Sequence, residues 1–213
     1  MKQLSDYEYH REPAGREAIM NQIIWRSVWD DHPEYDYDKI HIAENSIISP
    51  EVIIHPGTVI YPNVIIESGV TIGPNCTIGF QPFKKEHGGQ IKHIDCDGTV
   101  IIRSGSYLHS GVNIDCGINS TIIGHNTHID SHVHIAHDCA IGDNVLIAAG
   151  TIFGGWVTIG DNTFIGLNTT IKNRITIGHN CKIGMGSIII KNIPDDFGSV
   201  PATTQTLSRE LMK

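Results

Sequence analysis

The chain has 213 residues, a formal charge of −8, and aromatic side chains at only 7% of positions. With no basic cluster it has no electrostatic footprint for nucleic acid, and no apolar run is long enough to span a bilayer. The opening MKQLSDYEYHREP lacks the apolar core of a signal peptide, so a cytoplasmic protein is expected.

Residues 1–38 share no period with the rest of the chain. Within them Pro13 to Asp30 reads as a short helix with Ile19 and Ile23 on one face, an extension expected to cap the end of a repeat or, as the alternative, to help bind substrate. From Ile42 an apolar residue recurs every sixth position: Ile48, Ile54, Ile60, Ile66, Ile72 and Ile78. Two places before each stands a small or β-branched residue, such as Val52, Thr58, Val64 and Cys76. Neither a helix period nor simple strand alternation produces this series. A pair at i−2 and i faces one side of a short strand, and the rest of each hexad must turn. Gly124, Gly142, Gly160, Gly166, Gly178 and Gly184, with Asn126, Asn144, Asn162, Asn168 and Asn180, are expected to supply positive φ there. Strand plus corner by sixes is the signature of a parallel β-helix.

After Ile78 the phase breaks and returns at Ile102, Leu108 and Ile114. A hidden coil would put Lys84 and Gln90 inside, so residues 80–98 are predicted to form a loop thrown out of a corner. A smaller slip adds residues near Cys116 to Ser120, and the series then runs unbroken from Ile123 to Ile189, with Phe153 as its one aromatic member. The chain thus divides into an extension, residues 1–38; a β-helix, residues 39–192; and a strap, residues 193–213, with a short helix from Thr206 to Met212. Cys76, Cys139 and Cys181 fall at the small inward position, and all five thiols are expected to be reduced and unpaired.

Three hexads close one triangular coil. Counting hexads, both insertions leave the same edge, and His137, then Gly155, then Asn173 and Arg174 stand above them. A column that collects every irregularity points to a binding site. The segment GHNTHIDSHVHIAHDC holds His125, His128, His132, His134 and His137, but the register spreads them over different faces. His137 lies on the marked edge beside Asp138, a carboxylate suited to fixing the tautomer of a general base.

The run IAHDCAIGDNVLIAAG, the later GG-x-V-x-IGDNTFIG and IGMGSIIIKNIPDD together resemble the left-handed β-helix acyltransferases that modify sugar nucleotides. The order IGFQPF, loop, VIIRSGSYLHSGVNIDCG, STIIGHNTHIDSHVHIAHD resembles the UDP-3-O-acylglucosamine N-acyltransferases of lipid A synthesis, and the downstream half the sugar-nucleotide N-acetyltransferases of surface glycans. The resemblance implies an all-β, left-handed parallel β-helix assembled as a homotrimer. It implies transfer of an acyl group from acyl-CoA or acyl carrier protein to the amine of a nucleotide-linked sugar, with no tightly bound cofactor and no metal. His137 matches the base, Asp138 its orienting acid and Gly155 the oxyanion donor. Acceptor contacts are expected from Phe80, Phe83, Lys84, Lys85, His87, Asn119 and Asp130, and donor contacts from Lys172, Asn173, Arg174 and Lys191. Arg174 stands where the lipid A enzymes have a second histidine. Two alternatives are a γ-type carbonic anhydrase, for which His132 and His137 would need a third zinc ligand such as His87 or His93, and a non-catalytic scaffold.

Overall fold

A computed structural model describes residues 40–199. The helices expected at Pro13 to Asp30 and Thr206 to Met212 lie outside the described residues.

Each hexad spends two to four residues in a strand and the remainder in a turn, so the chain winds as a solenoid with three parallel sheets of eight, seven and eight strands. The pairing follows the predicted register. In one sheet Ile60, Ile78, Ile114, Ile135, Phe153 and Ile171 stack coil upon coil, and all are essentially inaccessible to solvent. The core is one continuous rod of these residues and their i−2 partners. Inward hydroxyls are satisfied within it: the Oγ1 atoms of Thr58, Thr127 and Thr163 donate to the carbonyls of Gly73, Gly142 and Gly178 at 2.8–2.9 Å.

The turn residues divide the work differently from the expectation. Of the residues named, positive φ falls to the asparagines, with Asn126, Asn144, Asn162, Asn168 and Asn180 between 51° and 58°, while other glycines such as Gly57, Gly69, Gly105, Gly111, Gly150 and Gly186 take it at other corners. Gly124, Gly142, Gly160, Gly166, Gly178 and Gly184 are not in that region. Gly124, Gly142, Gly160, Gly166 and Gly178 are needed because neighbouring coils approach so closely. A Cβ on Gly142 would sit 2.8 Å from the backbone nitrogen of Asp161.

The segment 80–98 leaves the rod as expected, and it is ordered as an antiparallel hairpin of Phe83–Lys85 with Ile91–His93. Glu86 ties it together through Lys92 at 2.9 Å and Lys84 at 3.7 Å. The second slip forms the short loop between the strands Asn113–Asp115 and Thr121–Ile123. These two insertions correct the expectation of five reduced thiols. They bring Cys96 and Cys116 to a Cα separation of 5.4 Å, and the two are joined as a disulfide. Cys76, Cys139 and Cys181 are free and buried in the rod. Among the described residues no helix is long and apolar enough to cross a membrane.

Candidate active site

The edge predicted to collect the irregularities does so. Going up one sheet, the strands Thr77–Phe80, Asn113–Asp115, His134–Ile135, Ile152–Phe153 and Thr170–Ile171 are adjacent in that order. The hairpin leaves after the first, the short loop after the second, and the third leads into His137 and Asp138.

Nδ1 of His137 lies 2.7 Å from Oδ2 of Asp138. The Asp138 side chain is only 1% exposed. Its other oxygen accepts the Asn119 N–H at 2.5 Å, and the Asp138 N–H donates to Thr121 Oγ1 at 2.9 Å. Held this way, the carboxylate accepts a hydrogen bond from Nδ1–H and leaves the Nε2 lone pair of His137 free to accept a proton. The short loop therefore supports the pair, through a backbone donor rather than the Asn119 side chain.

Two glycines wall this pair in. A Cβ on Gly117 would lie 2.6 Å from the Asp138 carboxyl carbon, and one on Gly155 would lie 2.7 Å from His137 Nε2. Gly155 does not have positive φ, so the corner itself does not demand glycine there. The closeness of the imidazole does. Among the described residues the Gly155 N–H has no acceptor, and the glycine packs directly against the His137 imidazole.

The next residue, Trp156, carries no signal in the hexad pattern. Its φ is 59°, a conformation that costs a bulky side chain on the order of 1 to 3 kcal/mol. The indole meets the His137 ring edge to face at 4.4 Å between centroids, and the Arg174 guanidinium lies 4.3 Å from the indole centroid. Imidazole, indole and guanidinium thus form one column.

A second polar group flanks the pair. Asp115 is 7% exposed, and burial pushes its carboxyl up to about 7. His134 Nε2 stands 3.7 Å from it, and burial lowers the pKa of that imidazole. On the same strand as Asp115, Asn113 Oδ1 is buried with no hydrogen-bond partner among the described residues. The Cys139 thiol, raised to about 12 chiefly by burial, is too poorly ionised to act as a nucleophile.

The other expected residues scatter. Phe80 meets the Tyr61 ring at 5.3 Å at the base of the hairpin, while Phe83, Lys84, Lys85 and His87 project from it into solvent. Lys172, Asn173 and Arg174 form the corner above Gly155, and Lys191 lies at the same edge beyond the strand Ile188–Ile189. Asp130 is elsewhere, on the turn before the strand His134–Ile135, where its carboxylate accepts the Ser131 N–H at 2.6 Å. His132 occupies that same turn, and among the described residues no three His, Cys, Asp or Glu are grouped to hold a metal ion. The zinc alternative has no ligand set there.

Comparison with known proteins traces the same repeat. The family described as "Bacterial transferase hexapeptide (six repeats)" matches residues 45–80 and 120–155, and "Hexapeptide repeat of succinyl-transferase" matches residues 156–191. An acyl-[acyl-carrier-protein]–UDP-N-acetylglucosamine O-acyltransferase of Aliivibrio fischeri is 32% identical over 82 residues, covering 38% of this chain and 30% of that one. The corresponding protein of Thiobacillus denitrificans is 28% identical over 139 residues, 64% of this chain and 53% of that one. The chain therefore spans from about a third to about half the length of these curated relatives. Among solved structures, a UDP-N-acetylglucosamine acyltransferase of Bacteroides fragilis superposes with a TM-score of 0.53 at 25% identity, over 72% of this chain and 69% of that one.

Proposed function

The chain belongs to the bacterial hexapeptide-repeat acyltransferases, and from that premise we propose that it transfers an acyl group from a thioester to a sugar carried on a nucleotide. The observation that carries the reading is the approach of His137 to Gly155, an imidazole with a free Nε2 packed against a glycine whose N–H has no acceptor among the described residues.

In this reaction the acceptor nucleophile gives its proton to His137 Nε2 as it attacks the thioester carbonyl carbon. Asp138 keeps the imidazole oriented and stabilises the imidazolium that forms. The carbonyl oxygen becomes an oxyanion and accepts a hydrogen bond from the Gly155 N–H. Collapse of the tetrahedral intermediate expels the thiolate, which takes up the proton, and the acyl group stays on the sugar. Every step uses side chains and backbone of this chain.

The donor, acyl-CoA or acyl carrier protein, is assigned to the coils above Gly155, where Lys172, Asn173, Arg174 and Lys191 offer donors to phosphate. The acceptor is assigned to the side of the hairpin, with Phe80 and Phe83 to stack and Lys84, Lys85 and His87 to meet a diphosphate. A corner of a prism is shallow, so the pocket is completed by neighbouring copies in a homotrimer. The reaction belongs in the cytoplasm, where its thioester donors are made.

The amine is the acceptor first assigned. A hydroxyl is the second reading, favoured by the O-acyltransferase names of the relatives. The test offers purified protein UDP-sugars bearing either a free amine or only hydroxyls, with acyl-CoA and acyl carrier protein thioesters of several chain lengths. Release of thiol with formation of an alkali-stable product marks amide formation, and an alkali-labile product marks an ester. Thiol release no faster than hydrolysis across the panel overturns the proposal.

A further inference from the structure

Asp138, Trp156 and Arg174 hold one and the same turn position in three successive coils, with φ of 60°, 59° and 63°. Their backbones are bonded in register: the Trp156 N–H donates to the His137 carbonyl at 3.0 Å and the Arg174 N–H to the Gly155 carbonyl at 2.9 Å. Coils in such a stack are about 4.8 Å apart, so Asp138 and Arg174 are about 10 Å apart at the backbone, a gap that an arginine and an aspartate side chain can bridge. Opposite charges do pair across coils elsewhere on this rod: Arg103 Nη1 reaches Glu67 Oε1 in the coil below at 2.5 Å. Arg174 makes no such pair among the described residues. Its guanidinium lies on one face of Trp156, and His137 meets the same indole edge to face.

At this turn position most other corners place asparagine or glycine, which accept left-handed backbone readily, with His132 and Asp196 as exceptions; an indole accepts it at a cost. A strained residue at a site calls for a reason in the site. We propose that Trp156 is a positioning residue that stands between Arg174 and Asp138. By occupying the gap it keeps the guanidinium from taking the carboxylate away from His137. By stacking it also fixes Arg174 with its N–H edge turned free, ready for an anionic group of the donor. Without the indole, Arg174 would compete for Asp138 Oδ2, and the imidazole would lose the partner that fixes its tautomer.

The inference rests on His137 acting as the base, but its test is read without substrate and so stands apart from the search for one. The probe is the far-downfield proton resonance of His137 Nδ1–H in its bond to Asp138, assigned by its loss in His137→Gln. The parent and Trp156→Phe, which keeps an aromatic face, are expected to show it. Trp156→Asn, which suits the backbone and so folds, is expected to lose it, and Trp156→Asn with Arg174→Ala to regain it. Recovery on removing the arginine is what a purely structural role for the indole would not give. Persistence of the resonance in Trp156→Asn overturns the proposal, as does its absence from the parent or its continued loss in the double variant.

Discussion

Two edges of this prism run through the same coils and treat their turn amides in opposite ways. On one, a side chain from each coil caps the amide of the coil below. His125 N–H donates to Asp143 Oδ1 at 2.7 Å, Asp143 N–H to Asp161 Oδ1 at 2.9 Å, Asp161 N–H to His179 Nδ1 at 2.9 Å, and His179 N–H to Asp195 Oδ1 at 2.9 Å. On the other, the equivalent positions are His137, Gly155 and Asn173. Where the ladder's rule would put an acceptor over His137, glycine stands, with neither a cap nor a Cβ. The first edge saturates these donors, and on the second, among the described residues, the N–H groups of His137, Gly155 and Asn173 have no acceptor. The same repeat makes either from the choice of one residue per coil.

His137→Ala breaks the comparison most severely. On the proposed mechanism this should lower transfer by about 10² to 10⁴-fold, measured as thiol release, with the rod still folded because the ring packs on a corner, and with some loss of stability because the buried Asp138 carboxylate loses a partner. Gly155→Ala retains the N–H but puts a Cβ 2.7 Å from the imidazole. It should cost transfer about 10²-fold by displacing the base from the oxyanion donor, with little change in stability. Full activity in Gly155→Ala would show that the close approach is dispensable.

Asp115→Asn sharpens the contrast through pH. The folded-state pKa of Asp115, about 7, exceeds that of an unfolded aspartate, about 4, so the folded protein holds a proton that the unfolded chain releases between those values. Stability therefore declines as pH rises from about 4 to about 7 and levels off above. Asp115→Asn should remove that decline, gaining on the parent at pH 8 and not at pH 4 when both are unfolded in urea. Equal slopes for the two proteins would show that Asp115 is ionised in the folded state throughout. Asp161→Ala acts on the other edge and least. Uncapping the Asp143 amide should cost about 0.5 to 1 kcal/mol in urea unfolding, because that corner is open to water, and thiol release should be untouched.

The rod was legible because burial and the hexad period state the same fact twice. Every position from Ile123 to Ile189 in the sixfold series lies inside, and the two phase breaks located both insertions. The column of His137 above the insertions came from counting alone. What escaped the sequence had no period to betray it. The hairpin pairs polar residues such as Lys84 with Lys92, which carry no strand alternation. The Cys96–Cys116 bond joins two irregular segments whose approach only the folded coils define. Asp115 reads as an ordinary strand end until the coil above buries it. Trp156 stays hidden behind the two glycines before it, which already explain a corner, and nothing in a one-dimensional pattern shows an indole in contact with both an imidazole and a guanidinium.

The bond between Cys96 and Cys116 has a mechanical consequence. A solenoid pulled by its ends peels coil by coil, since each coil touches only its neighbours. Here the strands Val100–Ile102, Tyr107–Leu108 and Asn113–Asp115 make up one complete coil, and they lie inside a covalent ring whose cysteines are 20 residues apart. Peeling from either side must stop at that ring. Under tension the oxidised chain would fall short of its full contour length by about 70 Å, the span of some 20 extended residues, and a reducing agent would release it.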